Sequence, residues 1–204
     1  ETLATMAALY PLQAGLLHHH LPDHPLLSIE ALAQLGEGLP VSEVEFNPGN
    51  VPIGIRPEDI PANGLSIGET IRTIDSNGSW AVLKNIENVP AYRTLLMNLL
   101  GELRSVVEPQ TGAMLTPQGF VFISSPGSIT PFHFDPEHNI LLQLRGTKVM
   151  NVWPSGDERF AHRREVLIRR PAGAEGHRPG IPAPQGLPWR IAHLPDPRRQ
   201  PVLR

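Results

Sequence analysis

Cysteine is absent from all 204 positions of this chain. Disulfides and thiolate metal sites are thereby excluded, and the chemistry falls to imidazole, carboxylate, hydroxyl and amine groups. The same absence agrees with a reducing compartment, so a cytoplasmic location is expected. No uninterrupted apolar run approaches the roughly 20 residues that a membrane span needs, and the first residues show no basic-then-apolar leader pattern. A membrane partner is not expected. Aromatic residues make up only 5% of the chain, and in its basic C-terminal stretch Phe160 and Trp189 stand too far apart to stack successive bases. Nucleic acid is not an expected partner either; the expected partner is an unknown protein or small molecule. Lysine is nearly absent, with Lys84 and Lys148 alone against fifteen arginines.

What is present suffices for one core: 40% of the residues are hydrophobic, and 204 residues suit a single domain. The chain opens on Glu1 rather than methionine and is expected to be a piece of a longer one. Its character changes after Pro154. Residues 1–154 carry seven basic and fifteen acidic side chains, a net of −8; residues 155–204 carry ten arginines, no lysine and five acidic side chains, a net of +5. Eight of the 23 prolines lie in that last stretch, and neither helical nor alternating periodicity survives beyond Pro171. The expected organisation is a lead-in over 1–64, a domain over 65–154 and an irregular Arg/Pro-rich tail over 155–204. Three origins fit such a tail. One is a shifted reading frame in a GC-rich gene, and another is truncation or divergence into a pseudoenzyme. The third is a basic disordered arm for nucleic acid or an acidic surface, with clusters at Arg164, Arg169, Arg170, Arg198 and Arg199.

Local signals place the lead-in elements. Ser28 is suited to cap a short helix through Ile29, Leu32 and Leu35, and 44–46 suits a short strand. Ser66 and Glu69 have the spacing of a capping box, which predicts a helix over 67–75 that ends at Asn77-Gly78. A strand follows over 80–83. Pro90 suits the first turn of a longer helix whose Leu96, Leu99, Leu100, Leu103 and Val107 form one apolar stripe.

From Gly119 the period becomes that of strands, expected over 120–124, 129–135, 139–145 and 147–153 with Pro-Gly, Pro-Glu and Arg-Gly turns between them. In the second of these, His133 and Asp135 stand two residues apart between Phe132 and Phe134. Successive strand side chains alternate, so the imidazole and the carboxylate project from one face and the two rings from the other. They are two thirds of the 2-His-1-carboxylate set that holds non-haem Fe(II) with positions open for other ligands. Nine histidines and six aspartates give about 0.3 His-x-Asp pairs by chance, so the pair alone says little. Its neighbours say more. Thr130 stands three residues before His133, Asn139 six after it, and Lys148 fifteen after it, just beyond Arg145-Gly146. Taken singly, Lys148 reads as a solvated hairpin lysine and Asn139 as the residue closing the turn Asp135-Pro136-Glu137-His138.

Taken together, the stretch 124–154, SSPGSITPFHFDPEHNILLQLRGTKVMNVWP, resembles the JmjC and cupin-like Fe(II)- and 2-oxoglutarate-dependent oxygenases, their protein-asparaginyl hydroxylases in particular. About thirty residues carry the resemblance closely, and 65–154 carry it loosely. It implies an α+β fold in which N-terminal helices lead into a double-stranded β-helix, the cupin-like jelly roll. It implies iron ligands at His133 and Asp135 and a 2-oxoglutarate site at Thr130, Asn139 and Lys148. The far carboxylate of 2-oxoglutarate needs a fixed cation and a hydroxyl, which Lys148 and Thr130 would supply. It also implies further strands and a second iron-binding histidine after Pro154, and the tail does not carry that pattern. The expected barrel is therefore incomplete, with exposed edges. The expected function is an Fe(II)/2-oxoglutarate-dependent dioxygenase, truncated or inactive as this chain stands. The alternative is a non-catalytic cupin-like binding module.

The remaining histidines have plainer readings. His18, His19 and His20 precede Leu21-Pro22-Asp23-His24 in a loop that could take adventitious metal but reads as a solvated one. His138 is a turn histidine placed to hydrogen-bond a neighbour or, less simply, to contact the metal site. His162, His177 and His193 are the candidates for a distal ligand. His193 has a tolerable separation from the pair, although Arg190-Ile191-Ala192-His193-Leu194-Pro195 lacks the expected surroundings.

Overall fold

The computed structural model describes residues 2–11, 13–49, 59–130, 133, 138–154 and 189–192. Helix α1 (Thr2–Leu9) is followed by a loop and a short 3-10 turn (Pro25–Leu27) that leads into α2 (Ile29–Gly38). Helix α2 starts where the sequence predicts, because the Ser28 hydroxyl accepts the Ala31 N–H at 3.2 Å. Helix α3 (Ile67–Arg72) has the expected capping box: Ser66 Oγ accepts from Glu69 N–H, and Glu69 Oε2 accepts from Ser66 N–H. The bond from the Ser66 N–H, and after it one from the Ser66 hydroxyl to Glu69 Oε2 at 2.7 Å, hold the Glu69 carboxyl below its usual pKa. The helix stops three residues short of 75. Asn77 Nδ2 donates to the Thr70 carbonyl at 2.7 Å, so a side chain takes the carbonyl that the next helical N–H would have used. Helix α4 (Pro90–Thr111) begins on its proline and ends at Gly112, whose φ of 81° suits glycine.

Strands β1 (Val44–Pro48), β2 (Ser79–Leu83) and β3 (Val121–Ser124) form an antiparallel sheet in that order. The register pairs Val44 with Leu83, Phe46 with Ala81, Ala81 with Ile123 and Leu83 with Val121. Those six side chains share one face, and the core lies against it. Ala81 and Leu83 are fully buried there, joined by Leu32, Leu35 and Ile71, with Ile67 packed alongside. Close approach of α2 to this face depends on Gly36. A Cβ there would meet Ile67 Cγ1 at 2.9 Å, Leu83 Cδ2 at 3.2 Å and Ile71 Cδ1 at 3.3 Å. From α4 the expected stripe is half-buried at its leucines and buried at Val107, and Tyr92 is buried as well, its hydroxyl donating to the Leu26 carbonyl at 2.8 Å.

A second sheet pairs β4 (Asn151–Pro154) with β5 (Trp189–Ala192), antiparallel, with Asn151 opposite Ala192. Here the structure departs from an irregular tail, since β5 lies inside 155–204. The strands expected over 120–124 and 147–153 appear as β3 and β4, each trimmed. The segment 139–145 is not a strand. Its alternation survives, with Leu142 and Leu144 half-buried against the core, but a strand is defined by a paired ladder, and none of these residues has one among those described. Residues 129, 130 and 133 are also outside regular structure. The chain is α+β, and no helix among the described residues is long and apolar enough to cross a membrane.

Helices α2 and α3 are also joined at their exposed edge. Arg72 donates to Glu30 through Nε and Nη2, both at 2.9 Å, and to Glu37 through Nη1 at 2.6 Å. The Arg72 guanidinium, helped by Gln34, lowers the Glu30 pKa from 4.5 to about 2. A depressed carboxylate pKa contributes stability that is complete above pH 4.5 and is lost as the pH falls through about 2. Thermal melts of Glu30→Gln should therefore depend less steeply on pH between 4.5 and 2 than those of the unaltered chain. Equal slopes would show that the pair contributes nothing. Gly36→Val should destabilise by about 1–3 kcal/mol in urea titrations, the range for overpacking a filled contact.

Candidate functional site

The residues that lead toward His133 leave the sheet from the end of β3, and a buried polar network holds that exit. Ser125 is 6% exposed, and its hydroxyl donates to the Ile74 carbonyl and accepts the Ser79 N–H at 2.9 Å. Asn77 Oδ1 also accepts from Ser79 N–H, at 3.0 Å. One layer further, Asn63 Nδ2 donates to Thr70 Oγ1 at 2.9 Å and Ser79 Oγ at 3.0 Å, and both of these residues are fully buried. Buried hydroxyls are tolerated only with such partners. The network joins the end of α3, the start of β2 and the end of β3. Ser128 N–H then closes the Pro126-Gly127 turn onto the Ser125 carbonyl at 3.2 Å, with Gly127 at φ 79°.

Beyond that turn, Thr130 and His133 are half-buried. Asp135, with Phe132 and Phe134, lies outside the described residues, so the one-face arrangement of His133 and Asp135 is an expectation. Asn139 and Lys148 are exposed. Desolvation nevertheless lowers the Lys148 pKa from its ordinary value.

His138 has a definite partner, though not a neighbouring one. Its Nδ1 lies 3.1 Å from the hydroxyl of Tyr10, which follows α1, and that hydroxyl lies 2.8 Å from Thr111 Oγ1 at the end of α4. In the N-terminal loop, His19 Nδ1 accepts the Leu21 N–H and His24 Nδ1 the Leu26 N–H, so both rings serve the backbone. Tyr10 and the Ser125 network were not singled out by sequence reasoning. The only local signal for the network was the Ser-Pro-Gly turn, and no spacing rule connects Tyr10 to His138.

As a donor set, one imidazole and one carboxylate are right in kind for Fe(II) and short in number. Among the described residues no group of three His, Cys, Asp or Glu could hold a metal ion. His162, His177 and His193, the candidates for the missing donor, lie outside the described residues. In comparisons with protein-family models, with curated proteins and with solved structures, the chain matches none of them.

The network carries its own test. Ser125→Ala removes the hydroxyl that bonds the buried Ile74 carbonyl, and should cost about 1–3 kcal/mol. The exposed neighbour Ser124→Ala should cost less than about 0.5 kcal/mol in the same denaturant titration. Equal effects would mean that Ser125 has no special part in holding the exit from β3.

Proposed function

We propose that this chain carries part of the site of an Fe(II)/2-oxoglutarate-dependent dioxygenase of the JmjC and cupin-like kind, with a jelly-roll barrel as its parent architecture. The observation that carries the reading is the set Thr130, His133, Asp135, Asn139 and Lys148 at its particular spacing. His133 and Asp135 would hold the iron. The chemistry supplied by iron and 2-oxoglutarate when bound is hydroxylation of a C–H bond, coupled to formation of succinate and CO2.

The residues of the chain have simpler tasks. Lys148 provides a positive charge for the far carboxylate of 2-oxoglutarate. Thr130, half-buried beside the turn that Ser125 anchors, adds a hydroxyl hydrogen bond. Asn139 contributes an amide to the same ligand. The α+β arrangement, with a sheet that ends just before these residues, is compatible with this assignment. Two protein donors hold iron more weakly than three, so the chain as it stands should turn over 2-oxoglutarate poorly or not at all.

A second reading, a binding module that keeps the cosubstrate pocket without stable iron, is favoured by the sequence after Pro154, which does not carry the pattern of a second iron-binding histidine. Calorimetry with Mn(II) in place of iron separates the two. Under the dioxygenase reading, 2-oxoglutarate binding depends on the metal, is lost in His133→Ala and Asp135→Ala, and weakens about 10-fold or more in Lys148→Ala. Under the module reading, binding is independent of metal and still depends on Lys148. Affinity unchanged in Lys148→Ala would refute both.

A further inference from the structure

The Tyr10 hydroxyl joins three remote parts of the chain: the end of α1, the last turn of α4, and the segment that begins at His138. Its oxygen is 2.8 Å from Thr111 Oγ1 and 3.1 Å from His138 Nδ1, and the two rings are 5.4 Å apart at 45°. Thr111 Oγ1 also lies 3.2 Å from the Val107 carbonyl, one helical turn back.

Counting protons sets the direction of this chain of contacts. A carbonyl only accepts, so the contact at Val107 is a hydrogen bond only when Thr111 donates it. Thr111, its single proton used, then accepts from Tyr10. Tyr10, its single proton used, accepts from His138, which must carry hydrogen on Nδ1. In the reverse direction Thr111 donates to Tyr10 and Tyr10 to His138, and the Val107 contact has no proton. The first assignment makes three hydrogen bonds and the second makes two.

We infer that Tyr10 and Thr111 hold His138 as the Nδ1–H tautomer, leaving the lone pair on Nε2, and that they thereby set the backbone position of Asn139. Tyr10 and Thr111 are in this sense positioning residues for the cosubstrate end of the site, a role that rests on the dioxygenase reading; the tautomer does not. The ring contact adds to the constraint, since an imidazole both bonded and packed against a phenol has little freedom about its side-chain torsions. The defined tautomer also parallels the way in which histidine nitrogens are assigned by the partner of the opposite nitrogen.

Long-range proton–nitrogen NMR of the imidazoles at alkaline pH reads the tautomer directly. His138 should be protonated at Nδ1 in the unaltered chain and shift toward Nε2–H, the form favoured by free imidazole side chains, in Tyr10→Phe. The backbone order parameter of Asn139 should fall in the same variant, while the melting temperature stays close to that of the unaltered chain. In Thr111→Val, which keeps the shape and removes the hydroxyl, the His138 shift should move in the same direction. With Mn(II) present, Tyr10→Phe should weaken 2-oxoglutarate binding about 2- to 10-fold, the range for one net hydrogen bond, and leave the metal affinity unchanged. His138 protonated at Nε2 in the unaltered chain overturns the inference, and so does an Asn139 that is equally ordered with and without the Tyr10 hydroxyl. If the unaltered chain binds no 2-oxoglutarate, the functional reading fails separately, and the tautomer with the order of Asn139 still decides whether Tyr10 holds this segment.

Discussion

The hydroxyl of Ser125 is the point on which the placement of the candidate site depends. It is almost fully buried, and it bonds at once to the carbonyl of Ile74 and the N–H of Ser79. An unpaired hydroxyl at that depth would be costly, so the end of β3 has to meet the α3–β2 connection in one register. Asn77 makes the same junction from the other side: it shortens α3 through the Thr70 carbonyl and reaches the start of β2 through Ser79. The chain that continues to Thr130 and His133 thus leaves a rigid corner, while the apolar face of the sheet is filled by α2 and α3 across Gly36.

Downstream of that corner, the described contacts involve more exposed side chains. Leu142 and Leu144 pack against the core without closing a ladder, and His138 is tied to Tyr10 and through it to Thr111. The charges divide along the chain: the net negative part of the chain contains the corner and the candidate ligands, and the net positive part follows Pro154. Strand β5 shows that the positive part is not uniformly irregular, because four of its residues pair with β4 in regular antiparallel register.

Helix starts were legible because capping is local. Ser28 and Ser66 act on N–H groups three residues away, so a short window of sequence contains both partners. Strands β2 and β3 were legible as short apolar runs bounded by turn residues, a signal that needs no knowledge of the partner strand. The candidate iron and cosubstrate residues were named from the resemblance that the stretch 124–154 carries, which is a matter of residue type and order.

Pairing and burial could not be read this way. The alternation in 139–145 matches a strand, yet these residues pack leucines without a ladder, because a ladder requires a second segment that no local window contains. The pairing of Trp189–Ala192 with Asn151–Pro154 is non-local for the same reason, and proline density pointed away from it. Sequence by itself determined which side chains cap and where helices begin. Tertiary structure alone decided that Ser125 would be buried under Ile74, that Tyr10 would meet His138 across 128 positions, and where the sheet would end, since hydrogen-bond partners remote in the chain are chosen by the packing of the whole.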